Sequence, residues 1–256
     1  MLLRSINFLL LTALLFSAPA WGETFFEAGE RFIRQGNDTE ARRALENEIA
    51  VRPNNLVARY NLAVLLARIG HEEEAIKLYE ENVSLGWHLP TVVNLSALYR
   101  LQGKHAEAEA LLKKKAKKHR SEASLWYLQA EIVLERGDRK RGVSLLKKAV
   151  KADPLNGFAQ LRYALFLSEE KQHRLALKHG AKAARLLDDC APCWKHWGDI
   201  QQAAGDFAGA VEAYQRSLAI DPNESVRKQL VEMLKASGDT ARANHIQGAL
   251  QPTSRD

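Results

Sequence analysis

The chain has 256 residues, 46% hydrophobic and 7% aromatic, enough apolar material for a sizeable core. Seven prolines and fifteen glycines are too few for a disordered or fibrous chain. The 37 Lys and Arg against 31 Asp and Glu give a formal charge of +6, which permits an anionic partner surface but does not demand nucleic acid. The first predicted element lies in residues 1–20. Arg4 is its only charge, an apolar run follows from Ile6 to Phe16, and Ser17-Ala18-Pro19-Ala20 supplies an Ala-x-Ala arrangement of small residues. That is the pattern of a secretory signal peptide cut after Ala20 or slightly later. A run of about a dozen residues is short for a bilayer core that needs roughly 20, so cleavage is expected over anchoring. No cysteine lies near the cut, and no later apolar run is long enough to span a membrane.

From residue 22 onward the chain repeats. Gly36, Gly70, Gly103, Gly137, Gly205 and Gly238 recur at a period of 33 or 34, with Lys171 standing where one glycine is missing. Five residues after each point comes another small residue: Ala41, Ala75, Ala108, Gly142, Ala176, Ala210 and Ala243. Seven residues before the turn run Gly29, Ala63, Ser96, Ala130, Ala164, Gly198 and Val231. Each period reads as two amphipathic helices around a glycine turn, with small residues where the two backbones must approach closely. Pro53, Pro154 and Pro222 close their windows, where proline stops one helix and leads into the next.

The stretch Trp194-Lys195-His196-Trp197-Gly198, followed by Gly205, Ala210, Tyr214 and Pro222, resembles the tetratricopeptide repeat, or TPR, family. Trp126 with Gly137, Ala149 and Pro154 is similar. Windows fall at 22–55, 56–88, 89–122, 123–156, 157–190 and 191–223, with a capping window at 224–250 and a flexible tail at 251–256. Residues 21–250 are therefore expected to form one solenoid. Departures from the pattern are Gly142 for alanine, Lys171 for the turn glycine, and Trp87, Arg120 and Asp188 where proline is common. The resemblance implies an all-α fold, a right-handed superhelical solenoid of helix–turn–helix repeats. Its first helices would line a concave groove and its second helices the outside.

Carried onto this chain, the groove would be lined in its first half by Phe26, Glu30, Ile33, Tyr60, Val64, Arg68, Val93, Ala97 and Arg100. Its second half would use Tyr127, Glu131, Leu134, Phe158, Leu161, Leu165, Lys195 and Asp199. Asn61 and Asn94 stand where relatives bond the backbone of an extended ligand. The clamp that chaperone-binding relatives use for a C-terminal carboxylate is not expected. Its asparagine places hold Glu30, Val64, Ala97, Glu131, Leu165, Asp199 and Glu232. A largely apolar peptide or helix is the occupant such a groove suits, although any one of these residues could instead be core.

The outer helices carry uneven charge. Glu72, Glu73, Glu74, Glu80 and Glu81 make one acidic. Lys113, Lys114 and Lys117, then Arg139, Lys140 and Lys147, then Lys178 and Lys182 would form a basic convex stripe. That stripe could meet an anionic envelope surface or an acidic partner, or be simply a solvated face.

The only cysteines, Cys190 and Cys193, form a Cys-x-x-Cys at a helix start. A disulfide between them is expected in an oxidising compartment, with a redox-active pair and a metal site as alternatives. Trp194 rather than His follows the pair, against covalent haem, and the eight histidines show no zinc-ligand spacing beside it. No phosphate loop, Gly-x-Ser-x-Gly or His-Glu-x-x-His occurs, so an enzyme, a metal and a cofactor are not expected. The expectation is a periplasmic scaffold or adaptor that holds peptide or helix segments of partner proteins. Its setting would be assembly of an envelope complex, as in pilus assembly, secretion, polysaccharide export or cytochrome maturation. The alternative is a thiol-redox accessory protein acting through Cys190 and Cys193.

Overall fold

The computed structural model describes residues 22–248. The expected signal peptide at 1–20 and tail at 251–256 lie outside the described residues. Regular structure among the described residues consists of fourteen α-helices, an all-α repeat of helical hairpins. The chain divides into two compact units between Leu98 and Tyr99.

The first unit holds α1 (Phe25–Arg34), α2 (Asp38–Val51), α3 (Leu56–Arg68), α4 (Glu72–Leu85) and most of α5 (Leu89–Leu101). The second holds α6 (His105–Lys118), α7 (Ala123–Glu135), α8 (Arg139–Ala152), α9 (Gly157–Glu169) and α10 (His173–Leu186). It continues with α11 (Ala191–Ala203), α12 (Phe207–Ile220), α13 (Glu224–Ala236) and α14 (Thr240–Gly248).

Helix starts follow from local chemistry. Thr24 closes a capping box with Glu27 at α1. Asn37, Asn55, Asp138, Asn156, Asp206 and Asn223 each accept a backbone N–H three residues on, satisfying a donor the helix cannot. Between the two helices of a hairpin the backbone turns left-handed, as at Gly137 with φ of 83°. Lys171 takes the same turn with φ of 57°, at a cost that glycine avoids. Lys171→Gly is therefore expected to stabilise the chain by about 1 kcal/mol, read as a higher urea midpoint at unchanged helical signal.

The small-residue columns mark where helices touch. Ala41, Ala75, Ala108, Ala176, Ala210 and Ala243 are wholly buried, as are Ala63, Ala130 and Ala164. A methyl at Gly198 would fall 2.6 Å from the Tyr214 ring. The glycine at 142, in place of the usual alanine, makes room for Leu134: a methyl there would fall 2.3 Å from its Cδ2.

A second recurring joint lies at the fourth residue of the first helix. Trp126 Nε1 donates to Arg120 O at 3.0 Å, and Trp194 Nε1 to Asp188 O at 2.8 Å. Gln160 Nε2 donates to Pro154 O at 2.8 Å, and Arg59 to Pro53 O at 2.7 Å. Three kinds of side chain thus satisfy, at four junctions, an inter-repeat loop carbonyl six residues upstream. In the second unit a core of Val133, Leu146, Tyr163, Leu167, Cys193 and Ile200 joins α7 to α11. Val211, Tyr214, Leu230, Leu234 and Ala243 form another across α12–α14.

Candidate functional site

In the first unit, α1 and α3 frame a surface depression of about 250 Å³. Its lining is Glu30, Ile33, Arg34, Tyr60, Asn61, Val64, Leu65 and Arg68. Ile33, Tyr60 and Val64 supply an apolar floor, and Val64 keeps 38% of its surface exposed. Charges ring it. Arg68 is tied to Asp38, whereas Arg34 makes no ion pair among the described residues.

Tyr60 is held from behind. Its ring stands edge-on to His88 at 5.0 Å and tilted to Tyr79 at 6.0 Å. Asn94 Nδ2 donates to the Tyr60 hydroxyl at 3.3 Å and to the Tyr79 hydroxyl at 3.1 Å. His88 Nδ1 lies 2.7 Å from Thr91 Oγ1, which also accepts from Asn82 Nδ2 at 2.7 Å. Burial pushes the His88 imidazole below its ordinary range and so favours its neutral form. Burial, offset in part by the Asn94 hydrogen bond, pushes Tyr79 up to about 12. The wall behind the depression is therefore uncharged at neutral pH and braced by hydrogen bonds.

Of the residues named from the sequence in this unit, Glu30, Ile33, Tyr60, Asn61, Val64 and Arg68 come together in the depression. Phe26 and Val93 are half-buried and do not line it. Asn94 does not line it either; its amide donor is spent on the two tyrosines, which makes it a brace. Arg34 and Leu65 were not named. Arg34 follows Glu30 by four residues, so helical spacing alone places it on that face.

The second unit's first-helix residues are more engaged. Leu161, 7% exposed, belongs to the core rather than to a ligand surface, because the first helices α7, α9 and α11 pack against one another there. Tyr127, Leu134 and Leu165 are half-buried and pack on that core. Burial raises Tyr127 to about 12. Glu131 accepts from Arg162 at 2.7 Å, and Arg100 pairs with Glu135. Phe158 stands 54% exposed.

On the second helices of this unit, Lys113, Lys114, Lys117, Arg139, Lys140, Lys147 and Lys178 are exposed and Lys182 is half-buried. Arg139 is engaged by Glu169 and Glu170 at 2.9 Å each.

Cys190 caps α11, its Sγ accepting the Cys193 N–H at 3.3 Å. The structure bonds the two sulfurs, with Cα atoms 5.2 Å apart. Cys193 is 4% exposed. No group of three or more metal-ligating side chains occurs among the described residues. No helix among them is long and apolar enough to cross a membrane.

Models of the tetratricopeptide repeat match residues 26–87, 96–157 and 191–224, more than half of the chain. The chain belongs to the tetratricopeptide repeat family. TPR chains are scaffolds that bind proteins, and this is the class of function the fold supports.

Among solved structures, the chain is similar to Pseudomonas aeruginosa pilF. The identity is 14%, the TM-score 0.66, and the match covers 80% of this chain and 94% of that one. A TPR protein from Parabacteroides merdae gives 14% identity and a TM-score of 0.61 over 90% of this chain and 93% of that one. YrrB, a TPR protein with an unusual peptide-binding site, gives 17% identity and a TM-score of 0.50 over 76% of this chain and 98% of that one. At these identities the likeness is one of fold. No curated protein matches the chain.

Proposed function

We propose that this TPR chain is a periplasmic scaffold that holds a segment of a partner protein in assembly of a cell-envelope complex. The depression between α1 and α3 would be its first point of contact. The observation that carries the reading is the pairing of an apolar floor, Ile33, Tyr60 and Val64, with a braced wall and a rim cation, Arg34, left uncommitted. Such a site accepts one apolar side chain and orients an acidic neighbour beside it. Export rests on the Arg4, apolar-run and Ala20 pattern of residues 1–20.

The expected result of Val64→Glu is a loss of about tenfold or more in affinity for the captured partner, because a charge enters the apolar floor. Val64 is already part-exposed, so helical signal and thermal midpoint should stay near the parent's. Photo-crosslinking from position 64 in intact cells, followed by mass spectrometry, identifies the partner; equal capture by the parent and Val64→Glu would end the proposal. Cys190 and Cys193 fit a structural staple at the start of α11 better than a thiol-redox centre. Cys193 is buried in the second unit's core and the half-buried Cys190 caps α11, so the bond ties the start of the helix to that core.

A further inference from the structure

We propose that the second unit carries a separate docking site for an acidic, partly apolar peptide segment of a partner protein. It is a cleft of about 470 Å³ between α6 and α8, with Trp126 of α7 in its wall. Lys113 and Lys117 project into it from successive turns of α6, and Lys148 from α8. None of the three lysines has a carboxylate partner among the described residues. The cleft's one acid, Glu109, is 13% exposed and already taken by Arg136 and Arg141. The free charge of the cleft is therefore positive.

Its apolar part is equally defined. The Trp126 indole is fixed by its bond to Arg120 O, with Lys148 Nζ 5.0 Å from its ring centroid. Leu145 lies beside it. Nothing in the repeat requires three unpaired lysines around an indole.

The arrangement selects among anions. The three cations are spread over two helices rather than converging on a point, and a compact phosphate on the cleft floor would meet the Glu109 carboxylate. A flat lipid surface reaches rim lysines but not a recessed indole. A peptide with carboxylates spaced along it and an aromatic or aliphatic side chain between them meets the lysines and the indole together. The inference rests on the protein-holding reading above but uses residues of the second unit only.

The test is calorimetric titration of the full chain with a short synthetic peptide alternating glutamate and phenylalanine. Binding that weakens with added salt is expected. Replacing Lys113, Lys117 and Lys148 together by Gln should weaken it about tenfold, with circular dichroism unchanged. Running the same titrations in the Val64→Glu background removes the first unit's depression, so the loss on the triple substitution reads this cleft alone. The assignment is overturned if the peptide does not bind, or if the triple variant binds as the parent does. It is also overturned if the triple substitution changes nothing in the Val64→Glu background, or if inorganic phosphate or phosphatidylglycerol vesicles bind at these lysines and the peptide does not.

Discussion

Tyr214→Ala is expected to lower the unfolding free energy by about 4 kcal/mol, the range seen when a large buried aromatic is truncated. The ring is wholly buried in the hairpin of α11 and α12. It lies against the bare backbone of Gly198, where even a methyl would come within 2.6 Å of Cε1. The space it leaves cannot close, because α11 also packs on α9 through Ile200 and Cys193. Tyr214→Phe keeps the ring and removes only the hydroxyl, which reaches Asp199 Oδ1 and Gln202 Oε1 at 2.9 Å each. That variant should cost about 1–2 kcal/mol. Urea unfolding followed by circular dichroism separates the two. Equal losses for Ala and Phe would mean that the hydroxyl, not the ring, holds the hairpin.

Asp199→Ala is expected to cost about 2 kcal/mol near neutral pH, since it strands the donors that converge on this carboxylate. Its Oδ1 accepts from Tyr214 at 2.9 Å and from Gln229 at 3.3 Å. Its Oδ2 accepts from Lys195 at 2.8 Å, with His196 Nδ1 at 3.4 Å. Burial alone would raise this acid. Hydrogen bonds from His196, Lys195 and Tyr214 outweigh it and hold the carboxyl below its ordinary 3.8. A folded-state value below the unfolded one contributes stability that is complete above 3.8 and fades as pH falls through the folded value. The gap in stability between parent and Asp199→Ala should therefore be widest near neutral pH and shrink in acid below that value. A gap that stays constant into strong acid would remove the ionised carboxylate from the account.

Much of the fold was legible because helix crossings impose small residues and hairpin turns impose left-handed backbone. Both rules leave marks at fixed spacing, as Ala63, Ala130 and Gly137 show. The missing glycine at Lys171 could be read as a gap in the column, but not that the lysine would bend to the same φ. Site residues were less legible. Leu161 and Phe158 share a helix and an apolar character, yet one is core and the other exposed; the difference depends on neighbouring helices three dozen residues away. Asn94 was read for its place in the repeat, whereas two tyrosines claim its donor. Trp126 carried the family signature strongly enough that its second face, toward Lys148, left no separate mark. The division between Leu98 and Tyr99 falls inside α5, where the repeat pattern runs on without interruption.

The joint at the fourth residue of the first helix has an evolutionary consequence. Arginine, tryptophan and glutamine all reach the same upstream carbonyl, which a proline, an arginine or an aspartate may supply with equal effect. The junction is specified by reach and donor chemistry, not by a matched pair of residues. A copied repeat inserted beside its parent therefore arrives with a working seam, and both copies can afterwards drift apart in sequence. Gene duplication can lengthen such a chain without first inventing a new interface, which leaves the ligand-facing side chains free to diversify one repeat at a time.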